Sequence, residues 1–286
     1  MDPLRQPETA MSSDAALRAY VPVQGADVRA EGVSLSFRGA RPAHVLDAVN
    51  LSIRPREVVA LIGPNGCGKS TLLRVLGGLI PADTGRVLFD GEPAPIEYRD
   101  DPACNPVALI TQHTTFLSDM PVGGFLLTHA KVRGGGASDV KRLVEETLSF
   151  ANELTGEPVS ADSRMTELSG GQTRALLIAD AAIICSTPIV LLDEVENAGI
   201  HRTRAIELLR RYRKIFVFVT HDPRIALLSD SRLVMKGGRI VNLLRTDPAE
   251  RAFSQKVGRL DDALAGLRDQ LRMGNRLSGT ELDGLS

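Results

Sequence analysis

Eight residues, Gly63-Pro64-Asn65-Gly66-Cys67-Gly68-Lys69-Ser70, constrain the fold of this chain more than any other stretch. They carry the spacing of a phosphate-binding loop, G-x-x-x-x-G-K-[ST]. At ordinary residue frequencies about one chain in a hundred of this length would show that spacing by accident. The flanks argue against accident. Val58–Ile62 is a short continuous apolar run, the pattern of a strand buried on both faces of a parallel sheet. Ser70–Leu79 has helical spacing through Leu72, Leu73, Val75 and Leu76. Glycines let such a loop curl so that successive N–H groups converge on a phosphate. The helix N-terminus adds about half a positive charge. Lys69 is expected to reach the β- and γ-phosphates, and the Ser70 hydroxyl to ligate Mg²⁺. Thr71 and the remaining loop residues complete the expected nucleotide contact.

Two further motifs carry chemistry. Ile189-Val190-Leu191-Leu192 runs into Asp193-Glu194. A buried strand ending in acids places them at the carboxyl edge of the sheet, beside the phosphate loop. Asp193 suits the Mg²⁺ shell and Glu194 suits a general base that polarises the attacking water. Leu168-Ser169-Gly170-Gly171-Gln172 opens a helix that reaches about Ile184. Ser169 can cap it, and the exposed N–H groups form a second anion site.

Strand patterns recur at Val28–Phe37, Val45–Ile53, Arg86–Phe89, Val107–Ile110, Ile215–Val219 and Leu233–Met235. Helical patterns between several of them imply crossovers and a mainly parallel sheet. Asp119–Glu167 is mostly helical in pattern and reads as an insertion into the α/β domain. Residues 1–27, rich in Pro, Ser, Ala and Gln, read as a loosely ordered arm. The charge balance, 34 Lys and Arg against 35 Asp and Glu, offers nothing to draw nucleic acid or an anionic membrane by bulk charge. The apolar runs are too short to span a bilayer, and Met1–Ala10 lacks the pattern of a secretory signal. Three scattered cysteines suit a reducing cytosol better than a disulfide framework.

Across about Val28–Arg245 the chain resembles the ATP-binding cassette (ABC) ATPases. The motifs stand in the family's order: Walker A at 63–70, a Q-loop glutamine at Gln112, the signature at 168–172, Walker B at 189–194 and a switch histidine at His221. The resemblance implies a P-loop NTPase core of α/β class, with an N-terminal antiparallel β subdomain and a helical subdomain at about 113–167. It also implies a head-to-tail dimer, in which Ser169 and the Gly170 and Gly171 amides act on the γ-phosphate held by the partner. Gln172 completes that motif. His221 would contact the γ-phosphate and orient Glu194 and the water. Gln112 would touch Mg²⁺ or the water and sense the helical insertion. An aromatic ring from the first strands stacks on adenine in this family; Phe37 is the candidate here, and a core position fits it equally.

The chain departs from the family after Walker B. Val195-Glu196-Asn197-Ala198-Gly199-Ile200 lacks the usual proline, and Ile200 stands where an aspartate is usual. Thr173-Arg174-Ala175 replaces the usual Gln-Arg pair. The leading expectation is an ATP-hydrolysing transporter subunit, cytoplasmic and held at the inner face of the membrane by separate permease subunits, without nucleic acid. The alternative is a soluble ABC ATPase driving a process such as cofactor or metallocluster assembly. Residues 246–286 form a helical extension in which Phe253, Val257, Leu260, Leu264, Leu267 and Leu271 keep a heptad seam. We expect that seam to pack on the chain's own ATPase domain rather than against a partner.

Overall fold

The computed structural model describes residues 27–37, 43–93, 106–111, 119–133, 137–185, 187–193, 202–274 and 276. Strands β1 (Val28–Phe37) and β2 (Ala43–Ile53) pair antiparallel, and β1 also pairs with β4 (Thr84–Phe89). With the two-residue β5 (Glu92–Pro93) they form a sheet of order β2-β1-β4-β5. The second sheet holds β3 (Val58–Ile62), β6 (Val107–Ile110), β7 (Ile189–Asp193), β8 (Ile215–Val219), β9 (Ser231–Lys236) and β10 (Arg239–Arg245). Its order is β10-β9-β3-β8-β7-β6, parallel except for the β9–β10 hairpin.

The continuous apolar runs of β7 and β8 are buried at every residue because both faces of this sheet are covered. Successive side chains point to opposite faces. Val190, Leu192, Phe216 and Phe218 therefore join one core, shared with helices α2 (Val122–Val132), α3 (Ala137–Leu154), α4 (Gly170–Ile183) and α5 (Arg202–Arg210). Ile189, Leu191, Ile215, Val217 and Val219 join the other. That second core is completed by Leu72, Leu73, Val75 and Leu76 of α1 (Lys69–Leu76) and by the inner face of β1 and β2. The antiparallel sheet and α1 thus lie on one side, and the helical insertion on the other.

The insertion is zipped at its base. The Arg164 guanidinium pairs with the Asp119 carboxylate at 2.6 Å, and the Thr166 hydroxyl donates to the same carboxylate at 2.5 Å. The Thr166 bond, with the Arg164 charge, holds the Asp119 carboxyl below its ordinary range. The Val122 and Gly123 amides donate to the Ser163 and Ala161 carbonyls at 2.9 and 2.8 Å. A helix-rich segment is thereby tied to the sheet through a narrow neck.

Three sequence expectations change. Helix α1 stops at Leu76 rather than Leu79, because Gly77 and Gly78 follow and Gly78 takes φ +72°. Strand β10 has no counterpart in the sequence reading: its Val241, Leu243 and Leu244 stay exposed, so burial imposes no clean alternation on it. The tail forms the expected long helix α7 (Pro248–Arg272), which lies on its own domain but not mainly through the heptad seam, of which Val257 and Leu267 are half-buried. It packs against α6 (Pro223–Leu228), with Ser254 buried, Glu250 paired with Arg232 at 2.6 Å and Arg251 paired with Asp230 at 3.2 Å. Phe253, Leu260, Leu264 and Leu271 remain about half exposed (56, 48, 47 and 58%). Those polar anchors lie on a different stripe of the helix and decide which face turns inward.

Replacing Leu260 and Leu264 together by Gln should therefore leave thermal stability nearly intact. Exposed substitutions change stability by about 0.5 kcal/mol or less each, and hence the melting temperature by about 2–4 °C at most. A fall of about 10 °C or more in a thermal melt would show the seam to be buried.

Candidate functional site

The phosphate loop leaves β3 at Gly63 and turns into α1 at Lys69. Two of its glycines sit where no side chain fits. A Cβ on Gly63 would lie 2.2 Å from the Met235 carbonyl oxygen, and one on Gly68 would lie 2.6 Å from the Val45 carbonyl oxygen. Gly68 also takes φ +103°, which L side chains rarely adopt. The loop is clasped from behind as well. The Gly238 amide, in the β9–β10 turn, donates to the Cys67 carbonyl at 3.1 Å, and the Asp47 amide donates to the Gly238 carbonyl at 2.9 Å. Nothing local to the Gly237-Gly238 pair marks it as a brace for the loop.

Lys69 is buried, and its Nζ donates to the Gly63 and Pro64 carbonyls at 2.9 and 3.0 Å. The ammonium is thus held inside the curl of the loop. Pro64, Asn65 and Gly66 are exposed, Cys67 and Gly68 are buried, and Ser70 and Thr71 are half-buried. The N-terminus of α1 has no side-chain cap and no acid in its first turn. Its N–H groups and its positive end therefore lack an internal anion, which is the condition for binding one.

The Ser70 hydroxyl donates to the Asp193 carboxylate at 3.0 Å, across 123 residues of sequence. Asp193 is the last residue of β7 and is buried, and in the strand register it pairs with Val219, the last residue of β8. After Val219 come Thr220, His221 and Asp222. Thr220 and Asp222 are buried; the Asp222 amide donates to the Thr220 hydroxyl at 2.9 Å, and the Asp222 carboxylate caps α6 by accepting from the Arg224 amide at 2.8 Å. His221 stands exposed between these two anchors. Because β3, β7 and β8 are parallel, the loop, Asp193 and His221 leave the sheet at one edge. Glu194 and Gln112 lie outside the described residues, as does the segment Val195–Ile200. Strand β6, which precedes Gln112, pairs Ile110 with Leu192, so it ends at the same edge.

The signature residues form a separate cluster. Ser169 caps α4: its Oγ accepts from the Gln172 amide at 3.3 Å, and the Gln172 Oε1 accepts from the Ser169 amide at 2.9 Å. The Gln172 Nε2 donates to the Pro158 carbonyl at 3.1 Å. Gln172 thus spends its side chain on shaping the helix start, a reciprocal capping box. Ser169 and Gly170 are exposed and Gly171 is half-buried. Phe37 ends β1 with half its surface exposed, so it is not a core residue.

The residues fit a Mg²⁺–nucleotide on geometry: an uncapped helix N-terminus, an ammonium inside the loop, glycines that leave no room for side chains, and a hydroxyl already beside a carboxylate. Two outcomes follow. Gly68→Ala should abolish nucleotide binding in a fluorescent-nucleotide titration, since the loop must move to clear the Val45 carbonyl; unchanged affinity would contradict this packing. Ser169→Ala should destabilise the protein by about 1 kcal/mol, seen as a melting temperature lower by about 2–4 °C. No shift would mean the cap contributes nothing.

The chain is similar to proteins of one family. The family described as ABC transporter matches residues 46–197. An uncharacterized ABC transporter ATP-binding protein of Methanocaldococcus jannaschii is 43% identical over 235 residues, covering 81% of this chain and 89% of that protein. An Fe(3+) ions import ATP-binding protein of Escherichia coli O157:H7 is 31% identical over 229 residues; the match covers 75% of this chain and 63% of that longer protein. Among solved structures, a nucleotide-free ATP-binding cassette from an ABC transporter superposes with a TM-score of 0.60 at 26% identity, over 80% of this chain and 95% of that one. A dimeric post-hydrolysis cassette bound to ADP and Pi shares the fold, with a TM-score of 0.66 at 22% identity, over 77% of this chain and 99% of that one. On the family match and the relative at 43% identity, the chain belongs to the ABC transporter ATP-binding family and is an ATP hydrolase of that class.

Proposed function

We propose that this chain is the energy-supplying subunit of an ABC transporter, and that two copies close head-to-tail on ATP to drive substrate movement through separate membrane subunits. The observation that carries the ATP site is the Ser70–Asp193 contact beside the buried Lys69. The loop amides and Lys69 hold the ATP phosphates and offset their charge. Ser70 and Asp193 would hold Mg²⁺, a role we extend to Gln112, and the ion would neutralise phosphate charge. Glu194 takes a proton from the attacking water, His221 orients the pair, and the bond between the β- and γ-phosphates breaks to give ADP and phosphate. The partner's signature residues complete each site: the capped end of α4 offers Ser169 and its amides outward, to a second chain. To adenine we assign Phe37, half exposed at the end of β1.

The transport reading is supported by the likeness to import ATP-binding proteins, and by the helical insertion, which leaves Leu127 and Val132 of α2 exposed. We assign that surface to the membrane subunits. Among the described residues no helix is long and apolar enough to cross a membrane. On this reading the chain works in the cytoplasm, bound to the inner face of the membrane through those subunits.

Lys69→Ala should weaken ATP binding and abolish phosphate release. Glu194→Gln should keep ATP binding but slow hydrolysis by about 10²- to 10⁴-fold, and accumulate as an ATP-bound dimer on size exclusion. A monomeric Glu194→Gln variant with normal turnover would falsify the composite site. For coupling, the tagged chain purified from membranes in mild detergent should bring down a multi-spanning protein; recovery of soluble partners alone would favour a non-transport role.

A further inference from the structure

Away from the nucleotide site, three side chains of ligand type converge where α2, α4 and the chain after α4 meet. His129 comes from the last turn of α2, Asp180 from α4, and Cys185 from two residues past its end. The His129 Nδ1 lies 2.8 Å from the Asp180 Oδ1, the Cys185 Sγ lies 3.6 Å from the Asp180 Oδ2, and the same sulfur lies 3.9 Å from the His129 Nε2. One donor atom from each of the three falls within 4.8 Å of the others. Asp180 and Cys185 are buried, while the His129 side chain is 26% exposed and marks the route in from solvent. The backbone fixes the cluster: the Ile184 and Cys185 amides both donate to the Asp180 carbonyl at 2.9 Å.

A catalytic Cys-His-Asp triad is the first alternative. Burial, reinforced by the Asp180 charge, pushes the Cys185 thiol up to about 12, so it is not a nucleophile at neutral pH. A hydrogen-bonded knot is the second. It accounts for the contacts of Asp180, which holds both the His129 Nδ1 and the Cys185 thiol, and it predicts no bound metal. A metal fits the same three side chains, because a ligand atom from each lies within reach of one ion. With bonds of about 2.3 Å to sulfur and about 2.1 Å to nitrogen or oxygen, tetrahedral ligand atoms stand about 3.5 Å apart. The Sγ separations are already close to that. The His129 Nδ1 and the Asp180 Oδ1, 2.8 Å apart, need to open only slightly to admit an ion.

We propose that His129, Asp180 and Cys185 bind one divalent transition-metal ion of the zinc class, which clamps α2 to the far end of the helix that Ser169 opens. On binding, the Cys185 thiol releases its proton to solvent and ligates as thiolate. The charges of Arg133 and Lys214 favour that thiolate. The Lys214 Nζ is held beside the cluster by donating to the Ala181 carbonyl at 2.8 Å. A mixed N, O and S set selects zinc-like ions over Mg²⁺ and Ca²⁺, which take oxygen ligands. The Mg²⁺ that accompanies ATP therefore does not compete.

The test uses the full chain, dialysed against buffered Zn²⁺ with excess Mg²⁺ and analysed by elemental mass spectrometry. One zinc per chain is expected. Cys185→Ser and His129→Gln should each weaken binding by about 100-fold or more, beyond what loss of an outer-shell partner costs, whereas Cys67→Ser should not. Co²⁺ in place of Zn²⁺ should add a thiolate-to-metal absorption band in the near ultraviolet, present in the wild type and lost in Cys185→Ser. Zn²⁺ should raise the melting temperature of the wild type and not of His129→Gln. Substoichiometric zinc, equal affinity in the variants, or a wild-type Co²⁺ complex without the band would each overturn the site. Should Cys185→Ser fail to fold, the wild-type band and the partly exposed His129→Gln decide the matter.

Discussion

The close approach of the phosphate loop to the carbonyls of Met235 and Val45 holds the site together, and it exists only because Gly63 and Gly68 have no side chains. That contact joins three parts of the chain far apart in sequence: the loop, strand β2 and the β9–β10 hairpin. The Gly238 amide and carbonyl bridge the same three parts through the Cys67 carbonyl and the Asp47 amide. A loop packed this way has little freedom, so its amides and the Lys69 ammonium are set before any phosphate arrives. Preorganised dipoles of this kind act without reorganisation at the moment of reaction.

The parallel sheet supplies the second condition. Its apolar strands split their side chains between two cores, one under the helical insertion and one under α1 and the antiparallel sheet. Both cores grip the same strands, so β3, β7 and β8 cannot slide without moving every side chain to the wrong face. Their ends, with Gly63, Asp193 and His221, are therefore held in register at one edge. The 3.0 Å bond from Ser70 to Asp193 is the local product of that long-range constraint.

Helix α4 connects this core to the insertion. Its first residues are shaped by the Ser169–Gln172 box, and Asp180 lies ten residues beyond Gly170, about 15 Å along the axis. Anything that stiffens the Asp180 end, the ion proposed above included, acts on the lever that carries the signature. The Asp119 carboxylate, held by Arg164 and Thr166, ties the two ends of the insertion together.

Much of this was legible in the sequence because it is local. Val28–Phe37, Val58–Ile62, Val107–Ile110 and Ile215–Val219 read as strands with the bounds they have in the fold. Alternation in the first and short continuous apolar runs in the other three leave a chain few other options. The phosphate loop, the acidic end of β7 and the serine cap of α4 were equally plain, each being a few adjacent residues whose chemistry depends on the backbone they build. Three features were decided only by tertiary structure. The heptad spacing of the tail specifies a helix and its apolar stripe, but the pairing of Glu250 with Arg232 and of Arg251 with Asp230 chose another stripe to face the domain. The spacing of Gly237-Gly238 specifies a turn, but not that it would brace a loop some 170 residues earlier, from Cys67 to Gly238. His129, Asp180 and Cys185 have no metal-ligand spacing at all, and their meeting depends on the crossing of α2 and α4. Periodicity and short motifs record what a residue does with its neighbours in the chain; contacts between distant segments depend on how whole elements pack, and no single stretch of sequence encodes that.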